Sequence, residues 1–458
     1  MMPSTDAAAS DALNDHRTRR LLDEPIVPLL LRMAWPNILI MVAQAATGLI
    51  ETWWVSKLGT NALAGMALAF PPIMLMTMLS AGALGGAISS SVARALGAGR
   101  QAQADALVLA AAVINVVAGS VFAIIFLLFG EPIYQLLGGS GGELEAALTY
   151  SNTVFAGNIL IWLMNGLASV IRGTGNMLFP AIVICVGVAF LIPLSPLLIF
   201  GFGPLPGFGI AGAGLALLVF YAAGSAAMGW YLLSERTPVR FRWSVLSPAA
   251  VKSILTIGTV SAVNSVQTNV TIAGATALVG TVAGASAVAG FGTGARLEYL
   301  LIPLVFGIGA PLVALVGTNI GAGQRDRALR IGMVGAALAF AVTEIIGVAA
   351  AIYPEAWMSL FSADPNVIAT GSAYLRTVGP AYGFFGLGIA LYFASQGAGR
   401  LLWPVCSGLL RLVLALGGGY IALSMTGSLT ALYGALAAGL VVFGLSVLVA
   451  VKSGAWFR

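Results

Sequence analysis

Long apolar runs separated by short polar connections fill almost the whole chain after Glu24. Each run reaches or exceeds the roughly 20 residues that a helix needs to cross a bilayer. The pattern predicts an all-α polytopic membrane protein with twelve transmembrane helices. The expected spans lie at about 29–55, 63–92, 105–129, 145–171, 178–201, 210–233, 253–281, 284–316, 328–352, 367–395, 401–424 and 429–451.

The chain also repeats itself at a constant offset, with Gly97–Gly99 recurring as Gly321–Gly323 and Tyr150 as Tyr374. Each half holds six spans, an even number, so the two halves have the same orientation. This predicts two parallel six-helix halves around a central cavity, an arrangement typical of alternating-access transporters; a duplicated scaffold without transport is the alternative. The expected segments are a disordered cytoplasmic tail at 1–24, an N-terminal half at 25–233, a cytoplasmic linker at 234–252 and a C-terminal half at 253–458.

Composition and charge narrow the class further. The chain is 59% hydrophobic and 8% charged, which excludes an ordinary soluble fold. Its basic residues are scattered between spans and fall almost entirely on one side of the predicted topology, so both termini are expected in the cytoplasm of a bacterial cell and the spans in its inner membrane. The two cysteines lie in apolar runs and the single histidine in the polar tail. We therefore expect no nucleic-acid partner, no metal site, no cofactor and no enzyme activity.

Span 1 carries one carboxylate, Glu51, deep inside an apolar segment. Asn37, Gln44 and Glu51 recur at i, i+7 and i+14 with Thr47 between them, so they share one narrow helix face. An uncompensated charge in lipid costs roughly 2.5 kcal/mol or more, so this face must turn to a wet cavity or to the bundle interior. Glu51 is predicted to couple ion movement, with the other three residues lining a cavity; a carboxyl kept neutral for packing is the alternative.

Polar and charged residues in the second half form two further groups. Span 7 has a polar face at i, i+3, i+4 and i+7, predicted either to line the cavity or to form interhelical hydrogen bonds: Asn264, Gln267, Thr268 and Thr271. Arg296 and Glu298 in span 8 point apart on a helix, so each is expected to find a partner on a neighbouring span. Glu344 and Arg411 are predicted to compensate one another. These four charged residues would form structural ion pairs or a secondary coupling site.

Several motifs carry a family resemblance from about Leu30 to Val451. They are Leu49-Ile50-Glu51-Thr52, Ala95-Leu96-Gly97-Ala98-Gly99, Arg172-Gly173-Thr174-Gly175-Asn176, Ala295-Arg296-Leu297-Glu298 and Val316-Gly317-Thr318-Asn319-Ile320-Gly321-Ala322-Gly323. The chain resembles the multidrug and toxic compound extrusion (MATE) transporters, most closely their DinF-like branch. The resemblance implies a monomer among membrane lipids that exports small amphipathic, often cationic drugs in exchange for H⁺ or Na⁺.

Two positions depart from that branch, which usually carries Asp where this chain has Glu51 and often carries Asp where it has Ser195. Coupling would then fall on Glu51 alone in this half, with Ser195 as a neutral cavity residue. The resemblance also implies that Asn165 in span 4 lies near the first-half cavity.

Two other functions can be weighed against drug efflux. A flippase of lipids or lipid-linked oligosaccharides, from the same superfamily, would need a cluster of cationic residues to hold pyrophosphate, whereas the embedded arginines here are few and scattered. An intramembrane transferase would need paired acidic motifs for a metal-bound diphosphate, and the sequence has none.

Overall fold

The computed structural model describes residues 18–234, 236–243 and 245–457. Among these, eleven helices are long and apolar enough to cross a membrane, and a pair bent by 51° makes a twelfth. Spans 1–6 are Ile26–Ser56, Thr60–Gly97, Gln101–Leu136, the bent pair Gly141–Ala156 and Asn158–Gly173, Leu178–Phe200, and Ile210–Leu233. Spans 7–12 are Pro248–Val282, Ser286–Gly321, Arg325–Ile352, Pro365–Ala398, Leu402–Thr426 and Leu429–Lys452. The predicted all-α polytopic fold is confirmed.

Several spans are interrupted where the sequence supplies a reason. Span 4 breaks between its two helices at Gly157, and spans 7 and 8 separate at Gly284, whose φ of 68° is a left-handed conformation that suits glycine. Span 10 changes to a 3₁₀ turn at Gly379–Ala381, around Pro380. Span 2 contains a π-helical segment at Met78–Leu84, and span 11 another at Val413–Gly418. Smaller elements are the two-residue antiparallel strands Gly201–Phe202 and Leu205–Pro206 and the short helix Pro354–Met358.

The described residues divide into two compact units. The first unit contains Trp35–Gly258 and the described residues before Glu24, and the second contains Glu24–Ala34 and Thr259–Arg458. The boundaries therefore fall within span 1 and span 7 rather than in the predicted linker. The step from Ala34 to Gly258 equals the step from Gly97 to Gly321, which is the offset of the sequence repeat. The first helix of each half is therefore divided between the two units at the equivalent position, as the duplication requires.

Each unit has its own apolar core. In the first unit, Val55, Met76, Tyr150, Phe155 and Trp162 belong to one buried cluster. The second unit has a larger cluster contributed by spans 7, 8, 10, 11 and 12 and by the short helix at 354–358. Many large apolar side chains remain exposed on the outer surfaces, among them Leu128, Phe190 and Val449. Lipid is the natural environment for such residues, because a bilayer removes the cost of their contact with water.

The tail expected at 1–24 lies outside the described residues as far as residue 17. Contrary to the prediction of disorder, residues 18–23 are helical. Leu21 is buried, and its side chain occupies the space beside Gly175. An apolar residue in an otherwise polar segment has thus found a packing partner, which stabilises the helical turn.

The connection between spans 6 and 7 is fastened to the start of span 3. Asp105 is buried, and its Oδ1 accepts hydrogen bonds from the backbone N–H of Arg240 at 2.9 Å and from Gln101 Nε2 at 3.0 Å. Its Oδ2 lies 3.4 Å from Arg242 Nε. Gln101 also donates to the carbonyl of Pro238. The connection therefore has a fixed position on the first unit although its described residues 236–243 form no helix.

We expect Asp105→Ala to loosen this connection and to expose it to protease. The substitution removes the acceptor shared by Gln101 and the Arg240 amide, and each net hydrogen bond contributes about 1 kcal/mol. Trypsin should then cleave the detergent-solubilised variant after Arg240 and Arg242 several times faster than wild type, as measured by mass spectrometry of the fragments. Equal cleavage rates would show that the connection is held by other contacts. Glu131→Ala, which removes an exposed carboxylate, is the control.

Candidate ion-coupling and substrate sites

Glu51 lies in the interior of the first unit. The buried residues Thr47, Glu51 and Val55 are spaced by four, so they share one face of span 1. Val55 belongs to the core cluster that includes Tyr150 and Ile199. Glu51 is only 5% exposed. The prediction that this carboxyl turns inward, away from lipid, agrees with its position.

Within the described part of the chain, Glu51 has no counter-ion. Its Oε1 is fully buried and accepts no hydrogen bond from any described residue, and no described cation forms an ion pair with it. The phenols of Tyr150 and Tyr221 are close enough to interact with it electrostatically. The buried Ser195 Oγ also has no hydrogen-bond partner among the described residues, and it lies one turn before Ile199 of the same cluster. A negative charge at this position is costly unless a proton or a cation binds there.

The other residues of the predicted stripe on span 1 have different environments. Asn37 is 1% exposed, and Thr47 is buried with its hydroxyl donating to the carbonyl of Ala43 at 2.8 Å. Gln44, by contrast, is exposed. Of the three residues expected to line a cavity, only Gln44 therefore presents a substantial surface, because Asn37 and Thr47 are buried.

Asn165 joins two spans of the first unit. Its Nδ2 donates to Ser80 Oγ at 3.0 Å, and Ser80 belongs to the π-helical segment of span 2. The side chain of Asn165 is partly buried. A contact with substrate at this position stays a prediction.

Span 8 and span 11 form a buried ion pair in the second unit. Arg411 Nη2 lies 2.9 Å from Glu298 Oε1, and the two side chains are only 9% and 14% exposed. Tyr374 donates its hydroxyl hydrogen to Glu298 Oε2 at 3.3 Å. The expectation that Glu298 pairs with a neighbouring span is confirmed. Tyr374 and its repeat equivalent Tyr150 are both buried.

The predicted pairing of Glu344 with Arg411 is wrong. Glu344 Oε2 accepts a hydrogen bond from the backbone N–H of Gly383 at 2.7 Å, so spans 9 and 10 satisfy this acid without a cation. Arg296 is exposed, and its guanidinium lies 5.8 Å from the centre of the Phe361 ring. Its position inside an apolar run identified Glu344 as an acid that needs a partner, but the crossing of the helices decided which partner it reached.

The polar face of span 7 serves both roles that its spacing allowed. Gln267 Nε2 donates to the carbonyl of Val405 in span 11 at 3.3 Å, which is an interhelical hydrogen bond. Thr268 Oγ1 donates to the carbonyl of Asn264, and Thr271 Oγ1 donates to that of Gln267. Thr271 also lines a cavity of the second unit. Gln267, which forms the interhelical hydrogen bond, and Thr271, which lines the cavity, lie one helical turn apart.

That cavity brings the buried ion pair of the second unit to its wall. Its water-accessible volume is about 30 Å³, enough for about two water molecules. It is lined by Thr271, Ile272, Ala275, Phe291, Ala295, Glu298, Tyr374, Val378, Arg411, Ala415, Leu436 and Leu440. Only Glu298 and Arg411 in this set are charged.

The repeat offset shows that the two units place their buried acids differently. Glu51 corresponds to Ala275 in the second half, and Glu298 corresponds to Met74 in the first. Tyr150 and Tyr374 occupy equivalent positions, and each interacts with the acid of its own unit. Each unit therefore combines the repeated tyrosine with one buried carboxylate, contributed by span 1 in one case and by span 8 in the other.

A duplicated twelve-span helical protein with buried charged groups in both halves has the features of a membrane transporter. The MatE family model matches residues 36–197 and again residues 261–421, two segments separated by nearly the repeat offset. The two matches cover more than half of the chain, which therefore belongs to the MatE family of transporters and is not an enzyme.

Similar proteins support this assignment. A protein of Shewanella oneidensis named FAD transporter is 28% identical over 409 residues, which cover 86% of this chain and 87% of that protein. A probable multidrug resistance protein NorM of Thermotoga maritima is 24% identical over 389 residues, covering 82% and 81%. A crystal structure of MATE in the bent conformation superposes with a TM-score of 0.88 at 23% identity, covering 96% of this chain and 97% of that one. The similarity to this crystal structure shows the fold alone.

Proposed function

We propose that this transporter exports amphipathic, often cationic molecules in exchange for H⁺, and that Glu51 is the residue that couples the two movements. The observation that carries the proposal is the carboxyl of Glu51, which is 5% exposed, has a buried oxygen without a hydrogen-bond partner among the described residues, and interacts electrostatically with Tyr150 and Tyr221. Transported drugs are supported by the names of the NorM relatives. Membership of the DinF-like branch remains part of the proposal.

The proposed cycle follows from the charge of this one group. When the protein is open to the periplasm, a proton binds the Glu51 carboxylate and removes its negative charge. A bound cation then loses its electrostatic partner and leaves, and span 1 repacks around the neutral acid. When the protein is open to the cytoplasm, the proton dissociates, and the restored negative charge favours a new cation. Proton and substrate thus exclude one another through alternating conformations.

H⁺ is favoured over Na⁺ by the groups around Glu51. A sodium ion needs several oxygen ligands, and carboxylates supply the strongest of them. No other described acid acts on Glu51. Ser195 stands where related transporters often carry Asp, so a second carboxylate is not available there. Hydroxyl groups of Ser195, Tyr150 and Tyr221 could complete a sodium shell only weakly. A proton needs no shell at all.

Transport of a flavin dinucleotide is a second candidate, favoured by the relative that carries that name at 28% identity. A flippase is less favoured, because the cavity of the second unit carries one arginine within the described residues, and its charge is already balanced by Glu298. A pyrophosphate group would need a cluster of cations.

Transport in reconstituted vesicles tests the proposal. Vesicles with an imposed pH gradient, an imposed Na⁺ gradient or neither would be loaded in parallel with a cationic dye and with FAD. We expect the cationic dye to move only with the pH gradient. Movement driven by Na⁺ alone would overturn H⁺ coupling, and movement of FAD without the dye would replace the drug by the dinucleotide as substrate class.

The orientation of the chain gives a separate prediction. In a variant without Cys185 and Cys406, we expect Val245→Cys, in the connection between spans 6 and 7, to react with a membrane-impermeant maleimide only after the cytoplasmic side is opened. Val245 is 93% exposed, so access is not limited by packing. Phe202→Cys, at the other ends of spans 5 and 6, should react in intact cells. The reverse labelling pattern would place both termini outside the cytoplasm and contradict the distribution of basic residues.

A further inference from the structure

The connection between spans 6 and 7 begins at the level where a bilayer ends. Span 6, Ile210–Leu233, has 24 residues and is about 36 Å long, whereas the hydrocarbon core of a bilayer is about 30 Å thick. Centred in that core, the helix ends about 3 Å beyond it, among the lipid headgroups. Trp230 and Leu233, in its last turn, are exposed. Tryptophan is enriched at this depth of membrane proteins, so the position of Trp230 agrees with the placement.

Local contacts keep the connection at this level. The backbone N–H of Arg240 donates to Asp105 near the start of span 3, and Thr237 and Val239 are buried. Span 7 then starts at Pro248. The part of the connection between Arg240 and Pro248 is therefore held near the ends of spans 3 and 7, which keeps it close to the membrane surface.

This part of the connection, residues 241–243 and 245–247, presents apolar side chains outward. Trp243 is 88% exposed, and Val245 and Leu246 are exposed as well. The Phe241 ring contacts that of Trp243 edge to face, with the ring centres 5.1 Å apart. Contact of such side chains with water is unfavourable, whereas a bilayer surface offers apolar contact to the indole ring and acceptors to its N–H. Lipid is therefore the environment that suits this segment.

Basic residues surround the apolar segment. Arg242 lies 3.4 Å from Asp105, yet its side chain is 65% exposed, and Lys252 in the first turns of span 7 is also exposed. The connection at the other ends of spans 5 and 6 provides a contrast. Phe202 is 74% exposed there, but residues 200–209 contain no basic residue. Only the segment beside span 7 thus combines an exposed aromatic ring with positive charge, among these two connections.

We propose that this segment, together with Arg242 and Lys252, binds anionic phospholipids of the bilayer leaflet that surrounds it. Trp243 lies among the headgroups, and the two basic side chains extend to the phosphates, as long basic side chains do at membrane surfaces. A basic residue close to an anionic bilayer strengthens binding about fivefold. In the orientation predicted from the basic residues, the leaflet is the cytoplasmic one, which carries the negative surface charge.

Quenching by brominated lipids tests this surface. In a variant without Cys185 and Cys406, Val245→Cys is labelled with bimane and reconstituted in vesicles of equal parts phosphatidylglycerol and phosphatidylcholine. One of the two lipids is brominated close to its headgroup, and bromine quenches only a fluorophore that it approaches closely. The total charge of the vesicle is the same in both samples, so the ratio of quenching reports which lipid lies beside residue 245. We expect brominated phosphatidylglycerol to have about a fivefold advantage.

Two sets of substitutions separate charge from apolar contact. Arg242→Gln combined with Lys252→Gln should abolish the advantage of phosphatidylglycerol, while both lipids still quench. The connection should keep its position in this variant, because the bond from the Arg240 amide to Asp105 remains. Arg242→Lys combined with Lys252→Arg preserves both charges and should keep the advantage. Bimane on Phe202→Cys, at the connection without basic residues, should be quenched equally by the two lipids.

Three results would overturn the proposal. Equal quenching at residue 245 by both lipids would show that the surface does not select anionic headgroups, and absence of quenching by either would place the segment outside the bilayer. A bimane emission that shifts to shorter wavelength as the protein is concentrated in detergent, without quenching in vesicles, would assign the surface to a second copy of the chain. Quenching is measured without a gradient or a transported molecule, so the result is independent of H⁺ coupling and of the substrate.

Discussion

Glu51→Gln should reduce efflux driven by a pH gradient to the background of empty vesicles. Glutamine keeps the size and hydrogen-bonding shape of the protonated acid but cannot release a proton, so the variant stays in the neutral form at every pH. The protein should still fold, because an amide at this site avoids the cost, roughly 2.5 kcal/mol or more, of an uncompensated charge in the membrane. A cationic drug should bind in detergent more weakly than to wild type, because the variant lacks the negative charge that favours a cation. The measurement is initial efflux rate in sealed vesicles at fixed protein density.

Two companion variants separate the titrating group from its surroundings. Glu51→Asp should retain part of the activity, since the carboxyl is kept and only one methylene is lost. Glu131→Gln removes an exposed carboxylate near the end of span 3 and should transport at the wild-type rate. Wild-type efflux by Glu51→Gln under the same gradient would leave the proposed mechanism without its coupling residue and would direct attention to the second unit.

Span positions could be predicted from sequence because one physical requirement dominates them. A helix needs about 20 apolar residues to cross a bilayer, and backbone groups in lipid must be hydrogen-bonded within the helix. The predicted span at 145–171 was correct in extent, yet its sequence gave no measure of the 51° bend near Gly157. The π-helical segments at Met78–Leu84 and Val413–Gly418 were not predicted, because both consist almost entirely of apolar and small residues, among which one extra residue in a turn leaves no visible break in the pattern.

The site was predicted only in part, because residues that contact one another there lie far apart along the chain. Helical spacing established that Glu51 faces inward and that Arg296 and Glu298 cannot pair with each other. It could not choose the partner of Arg411, because Glu298 and Glu344 are both acids in apolar spans and both lie far from Arg411 along the chain. The crossing of spans 8 and 11 made that choice. The burial of Tyr150 and Tyr374 could not be predicted either, because depth in a bundle is a property of several helices together.

A close approach of two backbones in the second unit gives the other large prediction, Gly347→Ala. A Cβ atom built on Gly347 would lie 2.2 Å from the carbonyl oxygen of Gly379 and 2.9 Å from Tyr382 Cβ. In the opposite direction, a Cβ on Gly379 would lie 2.6 Å from the carbonyl oxygen of Gly347. Backbone atoms cannot rotate away as a side chain does, so spans 9 and 10 must separate to admit the methyl group.

We expect Gly347→Ala to lower the free energy of unfolding by about 2–3 kcal/mol, the range for overpacking a well-packed interior. Gly434→Ala is the matched control, because a Cβ at that position in span 12 meets nothing within 4 Å. Alanine is the better helix former by about 1 kcal/mol, so the control should be as stable as wild type or more stable. The fraction of monodisperse protein that survives heating in detergent measures both. If the two variants survived equally, the separation of spans 9 and 10 could not be set by the contact between Gly347 and Gly379.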